Sequence, residues 1–213
     1  MSNIPMPPAY DPVSAFAPRR LPGRESYERT VVHAILDEAY VAHVAYEGVH
    51  GPEIIPTFYV RDGEQVLIHL SRRAGLAVAL AAGKLVTLAV TLVDGLVLAR
   101  SAFHHSMNYR SVIIHGQAVE LTGAAKAQAL DRFVERIEEG RSKRARPASA
   151  QEMKATGVFA IPLVAVVAKQ RFGGPKDDAE DMALPIWAGV IPLETQKGAP
   201  EADLAVAPEA SQA

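Results

Sequence analysis

The sequence contains no cysteine. That excludes disulfides, thiolate nucleophiles, cysteine-ligated zinc and iron–sulfur clusters. Charge of one sign is also lacking: the formal net charge is −2, so no general attraction to nucleic acid is expected. No run approaches the ~20 continuous apolar residues of a membrane-crossing helix. The start of the chain lacks the basic patch and apolar run of a signal peptide, which makes the cytoplasm the expected compartment. Several short signatures are missing too. No GxGxxG or P-loop pattern follows an expected strand. There is no HExxH or HxxxH pair, and no GxSxG elbow that would make Ser106 a hydrolase nucleophile. Tryptophan occurs once, at Trp187.

What is present is enough for one domain of ordinary size. Of 213 residues, 49% are apolar and 22% charged, a globular mix. An extended N-terminal arm is expected over 1–22, where Pro5, Pro7, Pro8, Pro12, Pro18 and Pro22 cluster. The domain spans 23–194, and an Ala-, Pro- and Glu-rich tail over 195–213 reads as disordered.

A helix is expected from Ser26 to Ala39, with Val31, Val32, Ile35 and Leu36 as its apolar stripe and His33 and Asp37 as a surface pair. The period then becomes that of strands: Tyr40 to Tyr46, Glu53 to Val60 and Gln65 to Leu70, the last two joined by a hairpin at Asp62-Gly63. Leu76 to Ala82 reads as a short helix closed by Gly83. Leu85 to Val93 is a buried strand, Asp94-Gly95 a second hairpin turn, and Leu96 to Ser101 and Arg110 to Leu121 continue the meander. Thr122 caps a longer helix with Leu130, Phe133, Val134 and Ile137 on its core face. Ser149 and Glu152 form a capping box, and Val158 to Lys169 is the last long strand. Hairpin order without βαβ alternation indicates the α+β class: a mainly antiparallel, six- to seven-stranded split β-barrel with flanking helices.

Four places carry candidate chemistry. Arg100 to Ser111 is a polar insert between two apolar strands, either a solvated hairpin or a stretch met by a ligand. Ser71-Arg72-Arg73 stands where a strand ends and a helix begins; it is a phosphate cradle or a cap with two solvated arginines. The basic loop 141–146 is either solvated or a polyanion contact. The histidines give no metal site by spacing. His104 and His105 are adjacent and would face opposite ways in a strand, so an ion would need distant partners such as His69 or His115. Trp187 is either core or an aromatic wall for a ligand or partner.

The stretch from Leu96 to Val112, with its His104-His105-Ser106-Met107-Asn108-Tyr109-Arg110-Ser111 centre, and the closing Leu184-Pro185-Ile186-Trp187-Ala188-Gly189-Val190-Ile191-Pro192-Leu193 resemble a known family. They are similar to the FMN-binding split-barrel proteins, also called pyridoxamine 5′-phosphate oxidase-like. More closely, they look like the flavin-nucleotide-binding branch that includes nitroimidazole-resistance reductases. The resemblance runs from about Arg20 to Leu193. It implies an FMN-bound homodimer with the flavin at the subunit interface. It implies that Ser71, Arg72 and Arg73 hold the phosphate, and that Pro56, Thr57, Phe58 and Tyr59 form the strand along the flavin ring. Asn108, Tyr109, Arg110 and Ser111 belong to the cofactor-binding strand, and Trp187 reaches the flavin of the other subunit. His69 ends the strand before the cradle. It is expected near the flavin edge, to orient an acceptor or supply a proton, with a structural histidine as the alternative.

Two departures bear on activity. Ser111 stands where the oxidase has glutamine, and the oxidase's Arg-x-His after Trp187 is absent, so oxidation of pyridoxamine phosphate is not implied. The expected function is an FMN-dependent oxidoreductase passing electrons from NADH or NADPH to a small acceptor: a nitroaromatic, a quinone or another flavin. The alternatives are a non-catalytic flavin carrier and a haem-binding protein on the same barrel.

Overall fold

Alternation of side chains builds the barrel. β2 (Val41–Glu47) buries Ala42, Val44 and Tyr46 and turns the residues between them outward. β3 (Pro52–Asp62) and β4 (Gln65–Ser71) follow, joined at Gly63, whose φ of 58° suits the expected tight turn. The computed structural model describes residues 8–13 and 22–203. β5 (Leu85–Leu98), β6 (Ser106–Gln117), β8 (Thr156–Pro162) and β9 (Ala165–Arg171) complete the long strands. Three more are only two to four residues long: β1 (Glu25–Ser26), β7 (Val119–Glu120) and β10 (Gly189–Pro192). The fold class is as expected, with ten strands among the described residues in place of six or seven because these short edges also pair.

Every pairing is antiparallel, in the order β1-β9-β6-β5-β2-β3-β4-β8-β7, with β10 added to β5. The chain from Ser106 to Glu120 closes the barrel. Its first part, β6, pairs β5, and its end, β7, pairs β8 at Val119↔Ala160.

The helices are α1 (Arg29–Glu38), α2 (Gly75–Ala81), α3 (Gly123–Ile137), α4 (Arg141–Arg144) and α5 (Ala150–Ala155). α1 starts later than expected because Glu25 and Ser26 pair with β9. Two apolar clusters result. The interior one joins Val44, Tyr59, Ile68, Leu88, Ile114 and Phe159 to Val32, Ile35 and Leu36 of α1. The outer one packs Ala129 and Phe133 of α3 on Val60, Leu67, Val158 and Ala160. β4 is therefore covered on both faces, as its unbroken apolar run requires.

Several expectations are corrected. Asp94-Gly95 is not a hairpin: β5 runs straight through it, with a bulge where the register jumps from Val93↔Tyr109 to Gly95↔Asn108. The buried parity flips there, from Val86, Leu88 and Val90 to Val97 and Ala99. Val158 to Lys169 is two strands, not one. His33 and Asp37 do not pair; His33 meets Tyr10 and Glu64, and Asp37 binds Arg61. Thr122 stands at the start of α3 without a side-chain cap, whereas the Ser149–Glu152 capping box is present. Residues 1–7 and 14–21 of the expected arm and 204–213 of the tail lie outside the described residues. Between them, Tyr10 is buried and its N–H bonds the Tyr27 carbonyl at 2.8 Å. No helix among the described residues is long and apolar enough to cross a membrane.

Candidate functional site

Ser71 closes β4, and its hydroxyl accepts the Arg73 N–H at 3.3 Å. Arg72 pairs with Glu120 of β7. Arg73 is exposed, with no ion-pair partner among the described residues. Arg72 borders a cleft of about 450 Å³ with Thr122, Gly123, Lys126, Met153 and Lys154. Lys126 is the residue that sequence reasoning missed. It is 6% exposed, and its ammonium donates to the carbonyls of Met153, at 2.6 Å, and Thr156. Burial first, and then the charge of Arg72, push its pKa below the ordinary lysine value. An ammonium has three donors, so two carbonyls leave one for an incoming acceptor. Arg72, Lys126 and Lys154 line the cleft, with Glu120 paired to Arg72, and this positive lining suits a phosphate.

His69 lies outside the barrel, because the alternation of β4 puts Val66 and Ile68 in the interior cluster and Leu67 in the outer one. Its ring meets Phe133 edge-on, with centroids 4.5 Å apart and planes at 83°. Phe58 packs on the same Phe133 at 5.7 Å. Beside them opens a cleft of about 420 Å³ that reaches Leu130, Val134 and Ile137 of α3 and Arg146. Burial alone lowers the His69 pKa, which favours the neutral ring. Among the described residues nothing hydrogen-bonds it. A neutral imidazole is a lone-pair donor and a poor acid.

Residues elsewhere in the chain meet much of the polar insert, although the buried Arg100 Nε has no partner among the described residues. Arg100 binds Asp177 through its backbone N–H at 2.9 Å and its guanidinium at 2.8 Å. The buried Asn108 donates to the Gly173 carbonyl at 3.1 Å and accepts from Arg171. Arg110 grips Asp94 at 2.7 and 3.0 Å and Glu38 at 2.7 Å, and these carboxylates hold its pKa well above the usual value. Ser111 donates to the Lys169 carbonyl at 3.2 Å. Tyr109 pairs Val93 and Arg171 across the sheet. These residues hold the chain's own elements together. Arg110 also lines a cleft of about 690 Å³ that reaches Leu193 to Lys197.

On β3, Pro56, Thr57 and Phe58 pair His43, Ala42 and Val41. Tyr59 is buried in the barrel, where its hydroxyl donates to the Leu36 carbonyl at 2.7 Å, so only its backbone remains for a ligand. Trp187 is 65% exposed and its ring lies over Gly189, where a Cβ would come within 2.9 Å of the indole. In the basic loop, Arg144 pairs Glu138 and Arg146 pairs Glu152. No group of three or more potential metal-ligating His, Asp or Glu side chains occurs among the described residues.

A closed antiparallel barrel with a cationic cleft at one strand end and an apolar cleft under α3 is the architecture of a small-molecule-binding split-barrel protein. The profile of the pyridoxamine 5′-phosphate oxidase family matches residues 28–170, and the chain belongs to that family. The flavocytochrome Anf3 from Azotobacter vinelandii is similar at 38% identity, covering 94% of each chain with a TM-score of 0.89. An FAD- and haem-binding protein from Mycobacterium smegmatis is similar at 34% identity, over 87% of this chain and 91% of that one, with a TM-score of 0.83. A 5-nitroimidazole antibiotic resistance protein, so proposed, from Bacteroides thetaiotaomicron shares the fold alone: 17% identity over 68% of this chain and 86% of that one, TM-score 0.58. No curated protein matches the chain.

Proposed function

We propose that the protein is a flavin-binding redox protein that holds a haem beside the flavin. The observation that carries the flavin is the cationic cleft of Arg72, Lys126 and Lys154. It opens at the strand end where the sequence has its phosphate cradle. Arg72 and Arg73 with the two lysines would hold the phosphate, and the backbone from Pro56 to Tyr59 would run along the ring. Support for the haem is the likeness, at 38% and 34% identity, to a flavocytochrome and to an FAD- and haem-binding protein. When bound, a flavin supplies hydride and electron chemistry, taking electrons from NADH or NADPH and giving them to a nitroaromatic, a quinone, another flavin or a haem iron.

FMN is the flavin expected from the sequence, and FAD is the one named for the mycobacterial protein. Both carry a phosphate that this cleft can neutralise. Two such chains would form an isologous dimer. Val41, Ile54, Val93 and Ile113 lie exposed on the outer face of β2, β3, β5 and β6, an apolar surface that a second copy would cover. Trp187 would then close the partner's flavin site, and His69 would lie at the flavin's edge.

The absorption spectrum of the protein as purified tests the reading. Flavin bands and a Soret band are expected, with the flavin bands bleached by NADH or NADPH in the absence of air. The mass of the released nucleotide separates FMN from FAD. A protein that takes up neither flavin nor hemin at micromolar concentration would overturn the reading. Failure to bleach with any donor would leave a carrier and remove the enzyme.

A further inference from the structure

Building on the haem part of the reading above, we propose that His69 is the axial ligand of the iron and that the cleft between β3, β4 and α3 is the haem site. The other described histidines fit less well. His33 is engaged by Tyr10 and Glu64, His115 by Thr87, His104 by Asp178 and His105 by the Ser101 carbonyl. His43 and His50 are exposed. His69 alone combines an unengaged ring, partial burial and an adjoining apolar cavity. Phe133 fixes the ring from its edge, so the imidazole needs little further ordering to bind iron.

The cavity suits a flat apolar ring. Its volume of about 420 Å³ lies within the roughly 300–1,000 Å³ of ligand pockets. Leu130, Phe133, Val134 and Ile137 form one helical stripe: Phe133 is buried and Leu130 packs on the same cluster, while Val134 is only partly buried and Ile137 is 61% exposed. A helix that presents such a stripe to a cleft leaves apolar surface for a ligand to cover. Asp131 and Glu152 line the cleft together with the donors Arg146 and Ser142, and the carboxylates of a tetrapyrrole need those donors as partners. Arg146 bonds Glu152 at 2.8 and 3.1 Å and the Pro147 carbonyl at 2.7 Å, which leaves its Nε–H and one Nη2–H unused. Ser142 lies on the same side. Neutral histidine is the form that ligates haem iron.

The test uses the full chain freed of haem and titrated with hemin. The wild type should give the Soret band of imidazole-ligated haem. His69→Gly should shift that band and weaken hemin at least tenfold, and added imidazole should restore the band. Ile137→Asp, which places a carboxylate in the apolar wall, should weaken hemin tenfold or more without moving the band at saturation. His43→Ala and His104→Ala should change neither quantity. If the wild type binds hemin but His69→Gly keeps its band and affinity, the iron is held elsewhere: this assignment falls and the haem reading stands. If the wild type binds no hemin, both fall. Circular dichroism checks the fold of each variant; should His69→Gly not fold, an unchanged hemin affinity in Ile137→Asp overturns the site by itself.

Discussion

Replacing Arg72 with alanine should weaken FMN or FAD and scarcely touch riboflavin, which has no phosphate. A hydrogen bond from a charged donor contributes about 1.5–3 kcal/mol. Two features of this arginine reduce that figure. Its side chain is 45% exposed, and it is already paired with Glu120, itself 25% exposed. Water and the standing ion pair both screen the attraction to a new anion, so about 1–2 kcal/mol is the expected loss. At 1.4 kcal/mol per tenfold, that is roughly 5- to 30-fold in dissociation constant. The same substitution frees the Glu120 carboxylate beside the phosphate. Adding Glu120→Gln should therefore recover part of the loss, a coupling that a double-mutant cycle measures directly. Raising salt should narrow the gap between wild type and variant, since the screening length is about 10 Å at 0.1 M and 3 Å at 1 M. Fluorescence titration of the flavin-free protein with FMN, FAD and riboflavin is the assay. An equal loss for riboflavin and the phosphorylated flavins would refute the reasoning, because the arginine would then be supporting the ring or the fold.

Trp187→Ala should raise the flavin dissociation constant roughly 5- to 150-fold, from ~1–3 kcal/mol of stacking. In a mixed dimer with an Arg72→Ala, Arg73→Ala subunit, one site should stay intact; two equally damaged sites would show that Trp187 serves its own subunit. Gly95→Ala should detach β10, since a Cβ there would meet Val190 at 2.9 Å and the Ile191 carbonyl oxygen at 3.0 Å. Faster proteolysis between Ala188 and Lys197 is the expected sign, and an unchanged cleavage rate counts against it. The Glu152 carboxyl is lowered from 4.5 to about 2, first by Arg146 and then by the Ser149 N–H and hydroxyl. A depressed carboxylate stabilises the fold fully above 4.5 and ceases to do so as pH falls toward 2. The melting points of wild type and Glu152→Gln should thus differ at neutral pH and converge over that acid range; a constant gap would refute the ion pair's part.

Much of the barrel was legible in the sequence because alternation and turn chemistry act over a few residues. Val41 to Glu47 shows its buried face in its spelling, and Asp62-Gly63 makes the hairpin its local preference favours. The capping box needs only Ser149 and Glu152, three positions apart. The family, too, could be read from two contiguous stretches.

The same dipeptide at Asp94-Gly95 was misread because its outcome is decided by neighbours. β6 and β10 flank β5 there, so running straight on keeps a ladder of hydrogen bonds that a turn would forfeit, and Gly95 gives the β10 backbone room to approach. The partners of the polar insert were not legible for a similar reason. Asn108 and Arg110 find partners 65 and 72 residues away in sequence, so their satisfaction cannot be seen locally. Lys126 carries no signal beyond one charge in a helix; its burial follows from the carbonyls of Met153 and Thr156 arriving beside it. By itself the sequence determined most of the long strands and the family, and it placed Ser71, Arg72 and Arg73 where β4 gives way to a helix. Tertiary structure alone decided that α3 would lie across β4, placing Phe133 against His69 from 64 positions away and opening an apolar cleft beside an unengaged imidazole. The reason is physical: helical spacing shows which face of α3 is apolar, and only packing shows how much of that face the protein covers itself.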